Sequence, residues 1–260
     1  KHGTVTVLFQ ELRFEVTTFR IDQEYLDGRR PDSVIFTPSI EEDLRRRDFT
    51  INAIAYDLSS RRLLDPHEGR ADLHRRVIRA IGDPLARFRE DGLRPVRACR
   101  FAAQFGFRVD PDTLAAIPAA LDTVRKVSAE RIREELVRLL GAPQPSQGFR
   151  LMSGCGLLEV LLPELAAGDG VEQRSLHCYD VLEHSLRACD AAEPANLPVR
   201  LAALLHDIGK PDSLRAEADG DLSFHGHERR SAELAQGLLE RLRFPNQLIQ
   251  KTCHLVLHHM

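Results

Sequence analysis

One change of pattern divides this chain of 260 residues. Up to Phe36 the apolar residues are mostly β-branched or aromatic and form short runs at residues 4–9, 14–20 and 34–36, which predicts β-strands. From Ile40 onward the pattern is helical. Strands at one end and helices over the rest predict an α+β protein, with a short mixed or antiparallel sheet before all-α parts.

Loop signals subdivide the chain. Residues 64–69 and 141–147 interrupt the helical pattern with Pro and Gly, and a turn with two arginines is expected at 27–31. A chain of this length accommodates more than one domain. We expect three parts, at 1–66, 67–172 and 173–260. His67 lies in the first break beside Pro and Gly, where we expect a loop residue rather than a metal ligand.

Charge and cysteine content narrow the class of protein. Residues 1–150 carry 26 Lys and Arg against 23 Asp and Glu, whereas residues 151–260 carry 10 against 16. The front half could therefore face a polyanion. The five cysteines form no CxxC pair, which is typical of reduced thiols in a cytoplasmic protein. The chain has no run of 18 apolar residues and no signal peptide, so we expect no membrane partner.

Three consecutive arginines, Arg45 to Arg47, run into Asp48 and then into an apolar segment that holds Asn52. The planar guanidinium group suits phosphate oxygens. Asp48 and Asn52 are four residues apart, so on a helix they would share a face and could bind a ribose or orient the arginines. The alternative is a solvated, charged helix start. A buried Asn needs hydrogen-bond partners, which favours the binding site.

A second charged stretch begins at Asp91 and continues with Arg94, Arg97 and Arg100 at intervals of three. On a helix these residues would form one ridge of a carboxylate and three guanidinium groups. Apolar residues would pack behind the ridge: Leu93, Val96, Phe101 and Phe105. Pro95 predicts a kink. Such a ladder also occurs as a purely structural helix surface, and that interpretation stays open.

Asp91 and Arg94 together present one acceptor and several donors. Cytosine and adenine each pair an exocyclic amino donor with a neighbouring ring-nitrogen acceptor, whereas guanine and uracil offer a ring N–H and a carbonyl there. Because unpaired buried polar groups are costly, Asp91 with Arg94 could accept C and A and reject G and U without a nucleic-acid template.

Histidines concentrate at the end of the chain, where eight of the eleven follow residue 176, beginning with His177. His184, the pair His206 and Asp207, and His227 lie in or beside helical sequence. Single histidines on apolar helices are mostly core residues, but a His-Asp pair with flanking histidines is hard to bury without a cation. Such ligands suit a divalent transition metal or Mg²⁺, which can activate water against a phosphate ester.

Four motifs, at residues 14–20, 46–53, 90–94 and 130–136, occur in an order that resembles the class II tRNA nucleotidyltransferase and bacterial poly(A) polymerase family. The resemblance covers residues 1–165 and implies a partial palm at 1–66 and a helical, RNA-binding neck and body at 67–172. It implies these roles: Glu15 as the third Mg²⁺-binding, catalytic carboxylate; Arg47, Asp48 and Asn52 for the triphosphate and sugar; Asp91 and Arg94 as the base-selecting template; Arg97 and Arg100 as further nucleotide contacts; and Arg131 in a supporting neck motif.

His184, His206 and Asp207 resemble the motif of the HD-domain superfamily of metal-dependent phosphohydrolases. The resemblance implies an all-α HD domain at 173–260, with His227 as a further metal ligand. The last ligand stays open between His258, His259 and a residue beyond Met260. An HD domain appended to the nucleotidyltransferase is a known arrangement in the family.

The sequence departs from the family pattern at its start. The family palm opens with a Gly-Gly-x-Val-Arg-Asp loop and an Asp-x-Asp pair for two Mg²⁺, and neither precedes Glu15 here. Residues 110–112 and 219–221 read Asp-x-Asp, but in turn-like contexts after the other motifs. The chain also starts at Lys1 in strand-like sequence and stops within a helix-like stretch. We therefore expect a piece of a longer protein that by itself is inactive at this site.

The resemblance implies template-independent addition of C and A nucleotides, from CTP and ATP, to the 3′ end of RNA, foremost the CCA end of tRNA. The motifs do not separate this activity from poly(A) synthesis or from addition of only CC or only A. Two other classes stay open. One is an HD hydrolase that removes phosphate or opens a cyclic phosphate at damaged RNA ends, and the other is a non-catalytic RNA-binding fragment.

Overall fold

A computed structural model describes residues 4–22, 34–173, 178–216 and 222–260. The turn expected at 27–31, His177 and the Asp-x-Asp sequence at 219–221 lie outside these residues. The α+β prediction is confirmed, since short strand pairs accompany a predominantly helical chain. No helix in the described ranges is long and apolar enough to cross a membrane.

The first strands form two separate antiparallel pairs. Strand β1 (Thr4–Phe9) pairs with β2 (Leu12–Thr17), and β3 (Arg20–Asp22) pairs with β4 (Val34–Phe36). The strand predicted at 14–20 is therefore divided into two. Both faces of the β1–β2 hairpin are exposed, and Glu15 lies opposite Thr6 in its register.

The arginine run does not begin a helix, as one interpretation expected, because helix α1 (Ile40–Arg45) already ends there. Ser39 caps the helix by accepting a hydrogen bond from the Glu42 N–H, and three acidic residues occupy its first turn. Acidic residues favour the N-terminus of a helix and basic residues its C-terminus. The arginines accordingly lie where α1 ends. The following elements are a 3₁₀ turn (Thr50–Asn52), β5 (Ala55–Asp57), β6 (Arg62–Leu64), α2 (Gly69–Arg75) and β7 (Val77–Ile78).

Helix α4 corrects a second prediction, because it begins at Arg94, after Asp91. Pro95 therefore lies in the first turn, where its missing N–H costs nothing, and it causes no kink. The elements of this part are α3 (Pro84–Glu90), α4 (Arg94–Phe105), β8 (Arg108–Val109, parallel to β7), α5 (Pro111–Ala115), a 3₁₀ turn (Pro118–Ala120), α6 (Leu121–Val124), α7 (Ala129–Leu140), α8 (Pro145–Gly154), α9 (Leu157–Leu161) and α10 (Pro163–Ala166).

The remaining elements are α11 (Val181–Ala191), α12 (Leu197–Leu205), α13 (Lys210–Ser213), β9 (Arg215–Ala216), β10 (Leu222–Ser223), α14 (His227–Arg241) and α15 (Asn246–Leu257). One apolar core runs from Phe49 through Leu139 to Val256 and joins the helices of both later parts, while β1 to β4 contribute nothing to it. Since the core is continuous, the boundaries at 66 and 172 stay predictions.

Candidate functional site

Asp48 is the centre of the first candidate region. Its Oδ2 accepts a hydrogen bond from Nε of Arg97 at 2.7 Å and lies 2.6 Å from Nη2 of the same guanidinium group. Its Oδ1 accepts from the Asn52 amide at 2.9 Å. Burial would raise the pKa of Asp48, but the Arg97 guanidinium and the Asn52 amide outweigh burial and lower it. The carboxylate is therefore ionised and fixed in place. We call Arg47, Asp48, Asn52 and Arg97 the arginine cradle.

Arg47 is held by two groups of the same segment. Its Nη1 donates to the Asn52 carbonyl at 2.9 Å and its Nη2 lies 3.4 Å from Oδ2 of Asp43, a buried carboxylate that also binds Arg46 at 2.7 Å. Asp48 and Asn52 do meet as predicted, but through the 3₁₀ turn rather than along an α-helix. The role of Asp43 was missed. Its spacing of three and four from Arg46 and Arg47 was the signal that could have revealed it.

Glu135 connects a further arginine, Arg100, to Arg97 of the cradle. This buried carboxylate on α7 lies 2.5 Å from Nε of Arg100 and 3.6 Å from Nη1 of Arg97. Burial lowers the pKa of Arg100, and Glu135 only partly offsets the shift. Glu135 lies within the 130–136 motif, but nothing in the sequence distinguishes it from the neighbouring carboxylates, because its partner Arg100 is 35 residues away.

Of the two template residues, Arg94 begins α4 and is followed on it by Arg97 and Arg100 as predicted, whereas Asp91 lies outside that helix. Asp91 precedes α4, where its Oδ1 accepts from the Leu93 N–H at 3.0 Å and its Oδ2 from Arg131 at 2.7 Å. Arg94 is buried and donates to Glu90 at 2.7 Å, to the Arg87 carbonyl at 3.1 Å and to the Arg46 carbonyl at 2.9 Å. The last bond joins the template to the segment that carries the cradle.

Two packing predictions behind this stretch had different outcomes. Leu93, Val96 and Phe101 are buried as expected, but Phe105 is 47% exposed and was wrongly assigned to the core. The turn between Asp91 and Arg94 packs tightly against the backbone of Thr123. A Cβ atom at Gly92 would lie 2.4 Å from the Thr123 carbonyl oxygen. A side chain at this position would displace the backbone between Asp91 and Arg94.

Glu15, the predicted palm carboxylate, is exposed on strand β2. Its carboxylate lies 4.0 Å from the guanidinium group of Arg13 on the same strand. In the described ranges the groups of three or more potential metal ligands all lie in the last third of the chain, and Glu15 belongs to none of them. The described residues therefore do not fit a palm Mg²⁺ site.

Asp207 is the centre of the second candidate region, and imidazole nitrogens approach both of its oxygens. Nε2 of His206 and of His184 lie 3.1 and 3.6 Å from Oδ2. Nε2 of His227 and of His259 lie 3.3 and 3.7 Å from Oδ1. We call these five residues the histidine cluster. They come from α11, the turn after α12, the start of α14 and the end of α15.

Backbone contacts fix the tautomers in the histidine cluster. Nδ1 of His206, His227 and His259 lies 2.9, 2.8 and 2.7 Å from the carbonyl oxygens of Ala203, Phe224 and Val256. A carbonyl only accepts, so each Nδ1 carries the hydrogen and each neutral ring points its Nε2 lone pair inward. Oδ1 of Asp207 is buried and accepts no hydrogen bond from the described residues. Converging lone pairs and an unpaired carboxylate oxygen fit a bound cation.

His259, rather than His258, completes the cluster. Nε2 of His259 lies 3.3 Å from Nε2 of His227, whereas His258 is exposed and packs against the His254 ring at 4.7 Å between centroids. Lys210, whose role was also missed, donates to Oδ2 of Asp207 at 2.7 Å and to Gln173 at 2.6 Å. Burial would raise the pKa of Asp207, but its partners lower it, so the carboxylate is ionised. A cleft of about 630 Å³ opens onto these residues.

Comparisons with known proteins cover nearly the whole chain. Residues 1–79 match the family model of the poly(A) polymerase head domain, residues 106–168 that of a probable RNA- and SrmB-binding site of polymerase A, and residues 174–260 that of the HD domain. An A-adding tRNA nucleotidyltransferase from Deinococcus radiodurans is 40% identical over 246 residues, which are 88% of this chain and 54% of that protein. The chain belongs to the CCA-adding enzyme family.

Two further members show the extent of the likeness. The CCA-adding enzyme of Geobacillus stearothermophilus is 46% identical over 166 residues, 64% of this chain and 41% of that enzyme. The crystal structure of the Bacillus stearothermophilus CCA-adding enzyme in complex with CTP superimposes with a TM-score of 0.65 at 31% identity, over 98% of this chain and 54% of that one. The family prediction is thus confirmed. The chain spans about half the length of the curated relatives it matches.

Proposed function

We propose that this chain provides the nucleotide-binding and base-selecting part of an enzyme that adds C and A nucleotides to the 3′ end of RNA, foremost the CCA end of tRNA. The observation that carries the proposal is the hydrogen-bonded ion pair of Arg97 with Asp48, which also accepts a hydrogen bond from Asn52. Arg97, 49 positions along the chain from Asp48, and Asn52 thus both bind the same fixed carboxylate. The names of the relatives, CCA-adding and A-adding, support the same reaction.

The template residues retain the hydrogen-bonding capacity that base selection needs. Hydrogen-bond partners among the described residues occupy three of the five N–H donors of Arg94, which leaves Nε and one hydrogen of Nη2 for a ligand. Each oxygen of Asp91 accepts one hydrogen bond and has a second lone pair. A base with an amino donor beside a ring acceptor would satisfy both residues, as cytosine and adenine do. Guanine and uracil would place donors against donors.

The other roles follow from the motifs. Arg47 would bind the triphosphate, Asp48 and Asn52 the sugar, Arg97 and Arg100 would support the nucleotide, and Glu15 would be one carboxylate of a palm Mg²⁺ site. Because Glu15 stands apart from other ligands, that site needs carboxylates besides those described here. The free cysteines of the chain support a cytoplasmic location.

Substrate selection tests the proposal directly. The full-length protein should extend tRNA that lacks its CCA end with CTP and ATP and leave GTP and UTP unused. Asp91→Asn exchanges an acceptor for a donor, so we expect the preference for C and A over G and U to fall by about tenfold or more. Arg125→Gln, which disturbs only an exposed ion pair with Asp122, is the control. Equal use of all four nucleotides by the wild-type protein would refute the template assignment.

The histidine cluster supports a second activity, hydrolysis of a phosphate ester. We propose that His184, His206, Asp207, His227 and His259 hold a divalent transition metal or Mg²⁺, which when bound supplies an activated water. Lys210 orients Asp207, and the cleft above the cluster has room for a terminal nucleotide. RNA ending in a 2′,3′-cyclic phosphate should be opened by the metal-loaded protein and not by His206→Ala. Full activity of that variant would contradict the proposal.

A further inference from the structure

A stack of side chains leads from the arginine cradle to the surface along α4. The guanidinium groups of Arg100 and Arg97 lie 3.8 and 5.3 Å from the centroid of the Phe101 ring. The rings of Phe101 and Phe105 are stacked, with centroids 5.5 Å apart and planes 12° apart. Phe101 is buried, whereas Phe105 is exposed. The Phe107 ring also packs against Phe105, with centroids 5.7 Å and planes 54° apart. The exposed part of the Phe105 ring is therefore an apolar surface that is connected through Phe101 to Arg97, the residue that holds Asp48.

Other exposed rings lack this connection. Phe9, Phe14 and Phe36 belong to the strand pairs that lie outside the core. The ring of Tyr179 is covered by the Arg187 guanidinium, 4.1 Å from its centroid. Within the part of the chain that the structure describes, Phe105 is the exposed ring that stacks on a partner of the cradle arginines.

Charge beside the stack favours an anionic ligand. Arg97, Arg100 and Arg138 approach the single carboxylate of Glu135 at 3.6, 2.5 and 3.5 Å. Asp48 is the only other carboxylate bound to these three groups among the described residues, so positive charge is in excess. The Arg138 side chain is 58% exposed. Phe105 is linked to Arg138 through Phe101, Arg100 and the shared carboxylate of Glu135. An exposed ring together with an exposed guanidinium group is typical of a site for single-stranded nucleic acid, where bases stack and phosphates are neutralised.

We propose that Phe105 is a stacking platform for an unpaired base near the 3′ end of the RNA substrate, with Arg138 beside its phosphate. The proposal rests on the proposed function, because nucleotide addition requires an RNA 3′ end next to the cradle. Stacking tolerates every base. The platform therefore positions the RNA, while Asp91 and Arg94 select the incoming nucleotide.

The test compares shape-matched variants of the full-length protein. Phe105→Leu keeps an apolar side chain but removes the ring, Phe105→Trp keeps a ring, and Tyr56→Leu makes the same kind of change at an equally exposed position, 54% against 47%. The probe is an RNA hairpin whose single-stranded 3′ tail carries 2-aminopurine. We expect Phe105→Leu to raise the dissociation constant about tenfold and to relieve the quenching of the probe. Phe105→Trp and Tyr56→Leu should match the wild type.

Two further measurements separate the alternatives. Phe105→Leu should raise KM for RNA but leave KM for CTP unchanged, and Arg138→Gln should reduce the salt dependence of RNA binding by about one phosphate contact. Unchanged RNA affinity in Phe105→Leu, or the same loss in Tyr56→Leu, would overturn the stacking proposal. RNA binding without nucleotide incorporation by the wild type would instead refute the proposed function and leave the platform intact. No RNA binding by the wild type would refute both.

Discussion

The arginine cradle and the histidine cluster solve opposite electrostatic problems. In the cradle and directly around it, three buried carboxylates each have a guanidinium partner within the chain: Asp43 with Arg46, Asp48 with Arg97, and Glu135 with Arg100. In the histidine cluster, imidazole lone pairs and a carboxylate converge on the same space, with Lys210 as the one permanent cation at the carboxylate among the described residues. The carboxylate of the cradle is paired within the chain, whereas Oδ1 of Asp207 accepts no hydrogen bond from the described residues.

This difference determines what each region can do. A carboxylate fixed by its own arginines is preorganised, so a nucleotide would meet groups that are already in position and would use the donors that remain. A cluster of unpaired lone pairs is stable only while a proton or a metal lies among them. The geometry of the arginine cradle should therefore depend little on the composition of the solvent. The stability of the histidine cluster should depend strongly on bound metal.

The largest expected effect is on metal binding. His206→Ala removes one of the inward lone pairs, and we expect the affinity for Mn²⁺, measured by calorimetry, to fall about 100-fold or more, since even changes to outer-shell residues cost 10–100-fold. His258→Ala is the matched control, because His258 is adjacent in sequence to His259 but packs outside the cluster. Equal affinities in the two variants would show that the cluster is not a metal site.

An intermediate effect is expected when the cradle loses a partner. Arg97→Ala leaves Asp48 charged, 9% exposed and without its main counter-ion. Breaking a buried pair costs about 3–5 kcal/mol, and because Arg97 is itself 27% exposed we expect about 2 kcal/mol in the free energy of unfolding, measured with urea. Arg125→Ala, in an exposed pair with Asp122, should cost well below about 1 kcal/mol. If both variants lose the same stability, the cradle is not preorganised by Arg97.

The same contrast explains what the sequence could predict. Asp207, His184, His206 and His227 were found because a His-Asp pair in apolar helical sequence is unusual in itself. The choice of His259 over His258 was not possible, since it depends on how α14 and α15 pack. For the cradle, the sequence identified the arginines but not their neighbouring carboxylates Glu135 and Asp43. Carboxylates are plentiful in the chain, and any of them could pair with an arginine. The tertiary structure decides which carboxylate pairs with an arginine that is 35 or 49 positions away in the sequence.

Helix boundaries account for the other errors. The regular spacing from Asp91 to Arg100 suggested one ridge, yet Pro95 places the start of α4 at Arg94 and leaves Asp91 in the preceding turn. The error changes the chemistry. Outside the helix, Asp91 can bind Arg131 of α7, so the neck motif supports the template by a direct ion pair of 2.7 Å. A proline in the first helical turn was present in the sequence and marks that boundary.

The smallest effect concerns acid pH, and it tests the cradle without removing a side chain from the core. The pKa of Asp48 is lowered in the folded protein because Arg97 and Asn52 outweigh burial. The unfolded chain therefore binds this proton at a higher pH than the folded one, and Asp48 stabilises the fold above its ordinary pKa near 3.9. That contribution is lost as the pH falls through the lowered value.

We accordingly expect the melting temperatures of the wild type and Asp48→Asn to differ most at pH 6–7 and to converge as the pH falls below about 4. Asp122→Asn is a suitable control, because the Asp122 side chain is 95% exposed and pairs with Arg125, three residues further along the chain. A difference between wild type and Asp48→Asn that persists unchanged at pH 3 would mean that the amide disturbs packing. The carboxylate charge would then not be what holds the cradle together.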